Sequence, residues 1–412
     1  MFHHATLAAL ANSLSTVPKL VMEKNLTRDI DELVGSVLEP MKLVVVDDNH
    51  TQDAAGDRIY KALKSRFPCT HVTLRQPVAD DATAEYLRTQ TLSADALVAV
   101  GSGTINDLCK YVSHIDRKPY VVFPTAASMN GYLSANASIT VSQHKKTLPA
   151  HMPVGVFCDL GVIAKAPARL SKAGLGDSLA RSTAQADWLL SHALLDTDYD
   201  QTPFSLLMPY EPELFGNARG IALADMACIE KLMTVLLLSG LGMTIAGGSY
   251  PASQSEHMIA HAHAMLCGHR SSERSLPALH GEEIGVTTLA MARMQEKLLR
   301  EKPMLRPDDF DSKLMINNYG SKAAAQARKS FDGKQEMILQ AGIPPKTPIK
   351  NWDAIADKIG ALCLPSKQIL SILEAAEAPI GAHALKWKTD DYTLATETAR
   401  YTRERFTFLD LV

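Results

Sequence analysis

Several absences narrow the function before any motif is considered. No sign of charge dominates, since 42 lysines and arginines stand against 45 aspartates and glutamates for a formal net charge of −3. Such a chain carries no broad basic field, and nucleic acid is not an expected partner. No CxxC pair occurs among the six cysteines, Cys69, Cys109, Cys158, Cys228, Cys267 and Cys363. Their irregular spacing excludes a thiolate zinc site and reads as reduced, mostly buried thiols of a cytoplasmic protein. No uninterrupted apolar run is long enough to span a bilayer: the longest, Met233–Ala246, is broken by Ser239, Gly240 and Gly242, so no membrane span is expected. Met1 to Leu20 shows no basic segment leading into a long apolar core, so a secretory leader is not expected either. Repeats at solenoid periods are also missing.

What is present is an ordinary globular composition, 46% hydrophobic and 21% charged over 412 residues. That length suits two packed domains. The first part alternates short apolar runs with helical spacing. Lys42–Asp47, His71–Leu74, Ala96–Val100 and Tyr120–Phe123 read as strands, and Ala54–Phe67 as a helix. Continuous rather than alternating apolar strands imply a parallel sheet covered on both faces. A β-hairpin is expected from about Ser138 through His144-Lys145-Lys146 to Phe157. After Pro167 the strand signal fades. Helical periodicity follows in Leu175–Leu190, Ile221–Leu238, Ser255–Cys267, Gly285–Arg300 and Pro365–Glu377, while Asp196–Gly220, rich in proline, aspartate and tyrosine, reads as a long surface connection. The expected fold is therefore an α/β dinucleotide-binding domain with a mostly parallel sheet over 1–166. An all-helical domain follows over 167–412.

Three segments carry chemistry. In Val98–Lys110 (VAVGSGTINDLCK) a strand enters the Gly101-Ser102-Gly103 turn and a helix leaves it. Glycines let the backbone approach a diphosphate, and the helix amides face its charge; Gly-x-Gly alone fits a plain strand-to-helix turn equally well. In Pro124–Ile139 (PTAASMNGYLSANASI) a strand runs into small and hydroxylated residues able to wrap a ligand with Thr125, Ser128, Asn130 and Ser134. The third segment set holds metal-type ligands: Asp177 in GLGDS, His257, His261 and His263 in SEHMIAHAHAM, and His280 in LHGEE. His257 and His261 lie one helical turn apart and share a face, and His263 points elsewhere. One carboxylate with two imidazoles suits Zn²⁺ with an open fourth position, although fourteen histidines make a chance cluster plausible. Asp48, at the end of VVVDD, stands where a carboxylate bonds an adenosine 2′-hydroxyl and repels a 2′-phosphate, which favours NAD and leaves NADP open.

Taken in order, GSGTINDLCK, PTAAS, KKTLPAHMPVGVFCDL, GLGDSLARSTAQADW, ASQSEH and HGEEIGV resemble the sn-glycerol-1-phosphate dehydrogenases. These belong to the superfamily of iron-containing alcohol dehydrogenases, glycerol dehydrogenases and dehydroquinate synthases. The resemblance runs from about Lys42 to Ala290. It implies a dehydroquinate synthase-like fold and NAD(H) or NADP(H) bound by Gly101, Gly103, Thr104, Ile105, Asn106 and Asp107 together with Thr125, Ala126, Ala127 and Ser128, with Ser134 beside the nicotinamide. It also implies a metal held by Asp177, His257 and His280, with His261 and Asn130 at the substrate. The family's iron enzymes add a histidine one turn after the aspartate; here that position is Arg181, which favours Zn²⁺ over Fe²⁺ or Ni²⁺.

The implied activity is metal-dependent, NAD(P)-linked oxidation of a CH–OH group. The expected substrate is a small anionic polyol phosphate and its ketone, foremost sn-glycerol 1-phosphate and dihydroxyacetone phosphate, with Lys146 or Arg181 as candidate partners of the phosphate. One departure bears on the substrate. The family follows PTAAS with His-Asp, and this chain has Met129-Asn130; an amide still bonds a hydroxyl but cannot act as a base. Glycerol or another polyol, a dehydroquinate synthase-like cyclisation, and an inactive ligand-binding member are the competing readings. The sequence leaves open whether the chain works alone or as a homo-oligomer.

Overall fold

The computed structural model describes residues 18–26, 29–38, 41–141, 144–270 and 278–412. The chain divides into two compact units, Met1–Gly174 with Ser205–Gly248, and Leu175–Phe204 with Ser249–Val412. The first is built on a six-stranded sheet of β1 (Lys19–Glu23), β2 (Leu43–Asp48), β3 (Cys69–Leu74), β4 (Ala96–Gly101), β5 (Tyr120–Pro124) and β8 (Gly155–Asp159). The order is β1-β8-β5-β4-β2-β3 and every pairing is parallel. Strands β4, β5 and β8 are buried along their whole length, as apolar runs covered on both faces must be. One face is packed by Val45, Val98, Val100, Val121, Phe123 and Phe157 against helical residues that include Ile30, Val34, Ile59 and Leu63.

The chain leaves β2 for β3 on one side and returns to β4 on the other, so the strand order reverses between β2 and β4. At such a point the connections diverge and open a crevice at the carboxyl ends of the strands. The β2–β4 register pairs Leu43 with Ala96 and Val46 with Ala99, and extended by two residues it brings Asp48 level with Gly101. The expected nucleotide motifs therefore share one edge of one sheet.

Several boundaries differ from the sequence expectation. The hairpin is β6 (Asn136–Val141) against β7 (His144–Pro149), and it ends at Pro149; Gly155–Asp159 does not return along it but joins the main sheet beside β1 and β5. Strand β1 gave no clear signal because its side chains are only half-buried. The helix expected over Ala54–Phe67 starts with a π-turn, Gln52–Gly56, before Asp57–Lys64, and Gly56 is pressed so closely on buried Asp47 that a Cβ would lie 1.9 Å from its Oδ2. Asp196–Gly220 is no surface connection: it contains the helices Thr202–Leu207 and Glu211–Gly216 and buries Phe204, Leu206, Leu207, Leu214 and Phe215. Pro203 and Pro212 sit in the first turns of these helices, where a missing N–H costs nothing, so prolines that resemble breakers are in fact starters.

The helical segment 205–248 belongs to the sheet unit rather than to a contiguous domain over 167–412. Its long helix Met226–Ile245 is apolar enough to cross a membrane by length and composition, but 78% of its most apolar window is buried within the protein. Thr244 Oγ1 donates to Leu133 O at 3.0 Å, and Gly240 fits so closely under the loop after β5 that a Cβ would lie 2.6 Å from Asn130 O.

In the second unit the described residues form helices joined by loops and two isolated bridges, Met304–Pro348 and Leu305–Leu411. Its core gathers Ala186, Leu190, Met258, Ile259, Met291 and Trp352 with Phe406, Phe408 and Leu411 from the end of the chain. That end is tied in by charge as well. Buried Asp410 pairs with Lys334 at 2.8 Å and with Arg400 at 3.2 Å.

Candidate active site

The expected nucleotide edge is built where β4 gives way to the helix Gly103–Ile115. Gly101 is needed because a Cβ there would lie 2.6 Å from the Cβ of Ile105, the residue that clamps the new helix onto the sheet. Ser102 is the N-cap and its side chain makes no capping bond. The first amides of a 13-residue helix are thus available to an anion at its positive end. Beside them Thr125 N donates to Gly101 O at 3.1 Å, bringing the PTAAS loop onto the same edge.

The expected cofactor residues divide by exposure. Gly103, Thr104, Ser128 and Asp48 are partly exposed, whereas Gly101, Ile105, Asn106, Asp107, Thr125, Ala126 and Ala127 are buried and shape the edge from below. Asp107 Oδ2 accepts from Ser138 N at 3.2 Å and its Oδ1 from Asn106 Nδ2 at 3.3 Å. Asp48 Oδ1 accepts from the amides of His50 and Thr51, both at 2.9 Å, so one carboxylate oxygen already caps a short helix.

Sequence reasoning missed what holds the second loop. Lys110, wholly buried, donates from Nζ to Gly131 O, to Ser134 Oγ at 3.1 Å and to Asn136 O at 3.2 Å. Burial pushes its pKa down to about 8, against the pull of Asp107. Ser134 Oγ also lies 3.0 Å from both Gly131 O and Asn136 O, so its hydroxyl belongs to the loop's own framework. Tyr132 OH donates to Ala126 O at 2.7 Å. Asn130, 9% exposed, stands in the segment these bonds fix.

The metal-type ligands meet in the second unit. Asp177, His257 and His280 present ligand atoms that all lie within 4.8 Å of one another. His257 Nε2 is 3.7 Å and His280 Nε2 4.0 Å from Asp177 Oδ1. The cause is a close helix crossing: Gly176 faces Gly281 and Gly285, and a Cβ on Gly176 would lie 2.1 Å from Gly281 O. Asp177 follows one of the touching glycines and His280 precedes another. His257 stands on the helix Ser255–His269, with Nδ1 2.8 Å from Glu256 Oε1. Burial drives the Glu256 carboxyl up, but His257 and the amide of Gln254 together hold it below its ordinary value. A carboxylate behind an imidazole fixes the ring's tautomer and turns the other nitrogen toward the site. The donor set fits a divalent transition metal: one oxygen, two nitrogens, mutual spacing suited to a common ion, and a second layer that orients one ligand.

His261 follows one turn later, its ring 5.9 Å from that of His257 and 5.7 Å from that of His280. Arg403 Nη2 lies 3.1 Å from His261 Nδ1. A guanidinium only donates, so Nδ1 accepts and the His261 proton resides on Nε2. His263 leaves this face and stacks on Trp387 at 4.0 Å between ring centroids. Lys146 is exposed on β7, and Arg181 donates to Gln185 Oε1 at 3.0 Å. Glu256 was legible in principle from its place beside His257; Arg403, more than a hundred residues away, had no local signal.

The iron-containing alcohol dehydrogenase family matches residues 21–167. A glycerol-1-phosphate dehydrogenase [NAD(P)+] of Pyrococcus abyssi is 31% identical over 274 residues, covering 66% of this chain and 77% of that protein. The chain belongs to the glycerol-1-phosphate dehydrogenase branch of the iron-containing alcohol dehydrogenases. A relative of the same name from Geobacillus thermodenitrificans is 29% identical over 355 residues, 84% of each chain, so the family likeness extends well past Ala290. In fold, the chain is similar to a 1,3-propanediol oxidoreductase with a TM-score of 0.63 at 15% identity, over 96% of this chain and 94% of that one. It is also similar to the glycerol dehydrogenase of Schizosaccharomyces pombe, with a TM-score of 0.52 at 20% identity, over 89% and 95%. These likenesses bear out the expected dehydroquinate synthase-like fold.

Proposed function

We propose that the protein is an NAD(P)-dependent oxidoreductase that interconverts sn-glycerol 1-phosphate and dihydroxyacetone phosphate, with zinc as its metal. The observation that carries this reading is the Asp177, His257 and His280 cluster with His261 beside it, in a chain whose relatives bear that enzyme's name.

Asp177, His257 and His280 would hold the ion, which when bound would supply Lewis-acid polarisation of a substrate oxygen. Glu256 keeps the His257 ring aligned through Nδ1. His261, with its proton on Nε2, donates a hydrogen bond to a ketone oxygen and so helps to orient and polarise it. On the sheet unit, the amides of Gly103 and Thr104 bind the cofactor's diphosphate, Ser128 and the backbone of Thr125–Ala127 line its path, and Asp48 faces the adenosine ribose, which favours NAD. Asn130 bonds a substrate hydroxyl without adding negative charge near a phosphate. The activity belongs in the cytoplasm, where six unpaired cysteines stay reduced.

The test is a screen of NADH and NADPH oxidation by zinc-loaded protein over dihydroxyacetone phosphate, dihydroxyacetone and related ketose phosphates. Dihydroxyacetone phosphate is expected to turn over with the highest kcat/KM. A preference for the uncharged ketone would overturn the substrate assignment, and oxidation with none of them would overturn the reaction.

A further inference from the structure

The cluster around His261 continues into two arginines from the last ten residues of the chain. Arg403 reaches His261 with one nitrogen and donates to Ser253 Oγ at 3.0 Å with another. Arg405 donates to Ser253 O and, at 3.0 Å, to Ser249 Oγ, and its guanidinium lies 4.2 Å from the centroid of the Tyr250 ring. Their segment is anchored by Phe408 N, which donates to buried Asp187 Oδ1 at 2.9 Å; Asp187 Oδ2 in turn accepts from Ser255 N at 3.1 Å. The two cations are therefore fixed at the start of the very helix that carries His257 and His261.

Elsewhere in this unit buried cations are neutralised. Lys334 and Arg400 both have Asp410. Among the described residues neither Arg403 nor Arg405 has a carboxylate within 4.0 Å; their bonds go to hydroxyls, a carbonyl and an imidazole. Burial and mutual repulsion push the Arg403 pKa down to about 9, the cost of holding like charges together with only the more distant Glu256 to relieve it. Two such guanidiniums, each pre-oriented by neutral partners, match the oxygens of a phosphate dianion.

We propose that Arg403 and Arg405 form the subsite that binds the phosphate of the substrate, with Ser249 and Ser253 holding the pair in place. This deepens the proposed function and rests on it for the identity of the substrate. Arg403 acts doubly, as a phosphate ligand and as the donor that sets the His261 tautomer. The short C–C–O–P tether of a triose phosphate suits a carbonyl beside His261 and a phosphate beside the arginines.

Two measurements on the zinc-loaded, full-length protein test it. The first compares kcat and KM for dihydroxyacetone phosphate and dihydroxyacetone in wild type, Arg405→Gln and Arg405→Lys. Arg405→Gln is expected to raise KM for the phosphorylated ketone by about tenfold to a hundredfold and to lower its preference over dihydroxyacetone as much; Arg405→Lys recovers part of the loss. An equal effect on both ketones, or none, overturns the proposal. The second is a calorimetric titration with inorganic phosphate. Wild type is expected to bind it and Arg405→Gln to bind it at least about tenfold more weakly. Equal binding by folded variant and wild type, or none by wild type, also overturns it. If wild type binds phosphate through Arg405 yet reduces no triose phosphate, the anion subsite stands and the proposed function falls.

Discussion

Replacing Gly176 by alanine poses the sharpest question about how the fold makes the proposed metal site. Helix propensity alone predicts a gain of about 1 kcal/mol, because alanine is the better helix former. The crossing predicts the opposite, since the new Cβ would stand 2.1 Å from Gly281 O and 3.2 Å from Gly285 Cα. Both neighbours are backbone and cannot swing aside. Restoring a contact of 3.0 Å requires the helices to part by about 0.9 Å. Overpacking of this kind costs about 1–3 kcal/mol, so the net loss is modest and the fold survives. Asp177 and His280 ride on the two backbones that separate, and metal–ligand distances tolerate only about 0.2 Å. Zinc affinity should therefore drop by about tenfold to a hundredfold, removing about 1.4–2.7 kcal/mol of zinc-linked stability. Competition with a chromophoric chelator measures the affinity, and thermal unfolding with and without zinc measures the linkage. Gly285→Ala, with its nearest contact at 3.2 Å, should show a smaller effect. Zinc affinity in Gly176→Ala within about threefold of wild type would refute the reasoning.

Other predictions follow from separate parts of the molecule. The Cβ position of Gly103 has ordinary 3.5 Å contacts with Met129, so Gly103→Val should fold normally and weaken NAD(H) binding by at least about tenfold, roughly 1.4 kcal/mol; an unchanged nucleotide titration would count against the cofactor edge. Lys110→Met leaves three acceptors under the PTAAS loop without their donor and should cost about 2–4 kcal/mol in urea unfolding, while a change below about 0.5 kcal/mol would mean the lysine does not hold the loop. Burial pushes the His263 pKa down to about 4, with Asp391 pulling the other way. The unfolded chain then binds more protons than the folded one between pH 6.5 and 4, so stability falls as pH drops through that window, by about 2–3 kcal/mol at its end. His263→Phe keeps the stack on Trp387 and should flatten this acid limb; an unaltered slope would disprove the cause.

The strands and motifs legible in the sequence are those whose signal is local. Runs such as ALVAVG and YVVFP announce buried parallel strands, and short motifs such as GLGDS, SEH and LHGEE single out Asp177, His257 and His280, whose ligand atoms the fold brings within 4.8 Å of one another. The rest depended on distant partners. Half-buried β1 has no apolar run, and the prolines of 196–220 start helices whose existence depends on what they pack against. Lys110 reads as a solvated helix residue until three carbonyl and hydroxyl acceptors close over it. Arg403 and Arg405 reach the site only because the chain's last residues fold back onto Asp187, a contact that spans over two hundred residues.

The most direct test of the account is a titration of metal-free protein with zinc while NADH oxidation by dihydroxyacetone phosphate is followed, in wild type and in His257→Ala. The account predicts turnover that rises with added zinc and levels off at about one equivalent per chain, with neither tight zinc binding nor turnover in a folded His257→Ala variant. Full activity without metal, or zinc binding and turnover undiminished by the substitution, would contradict it.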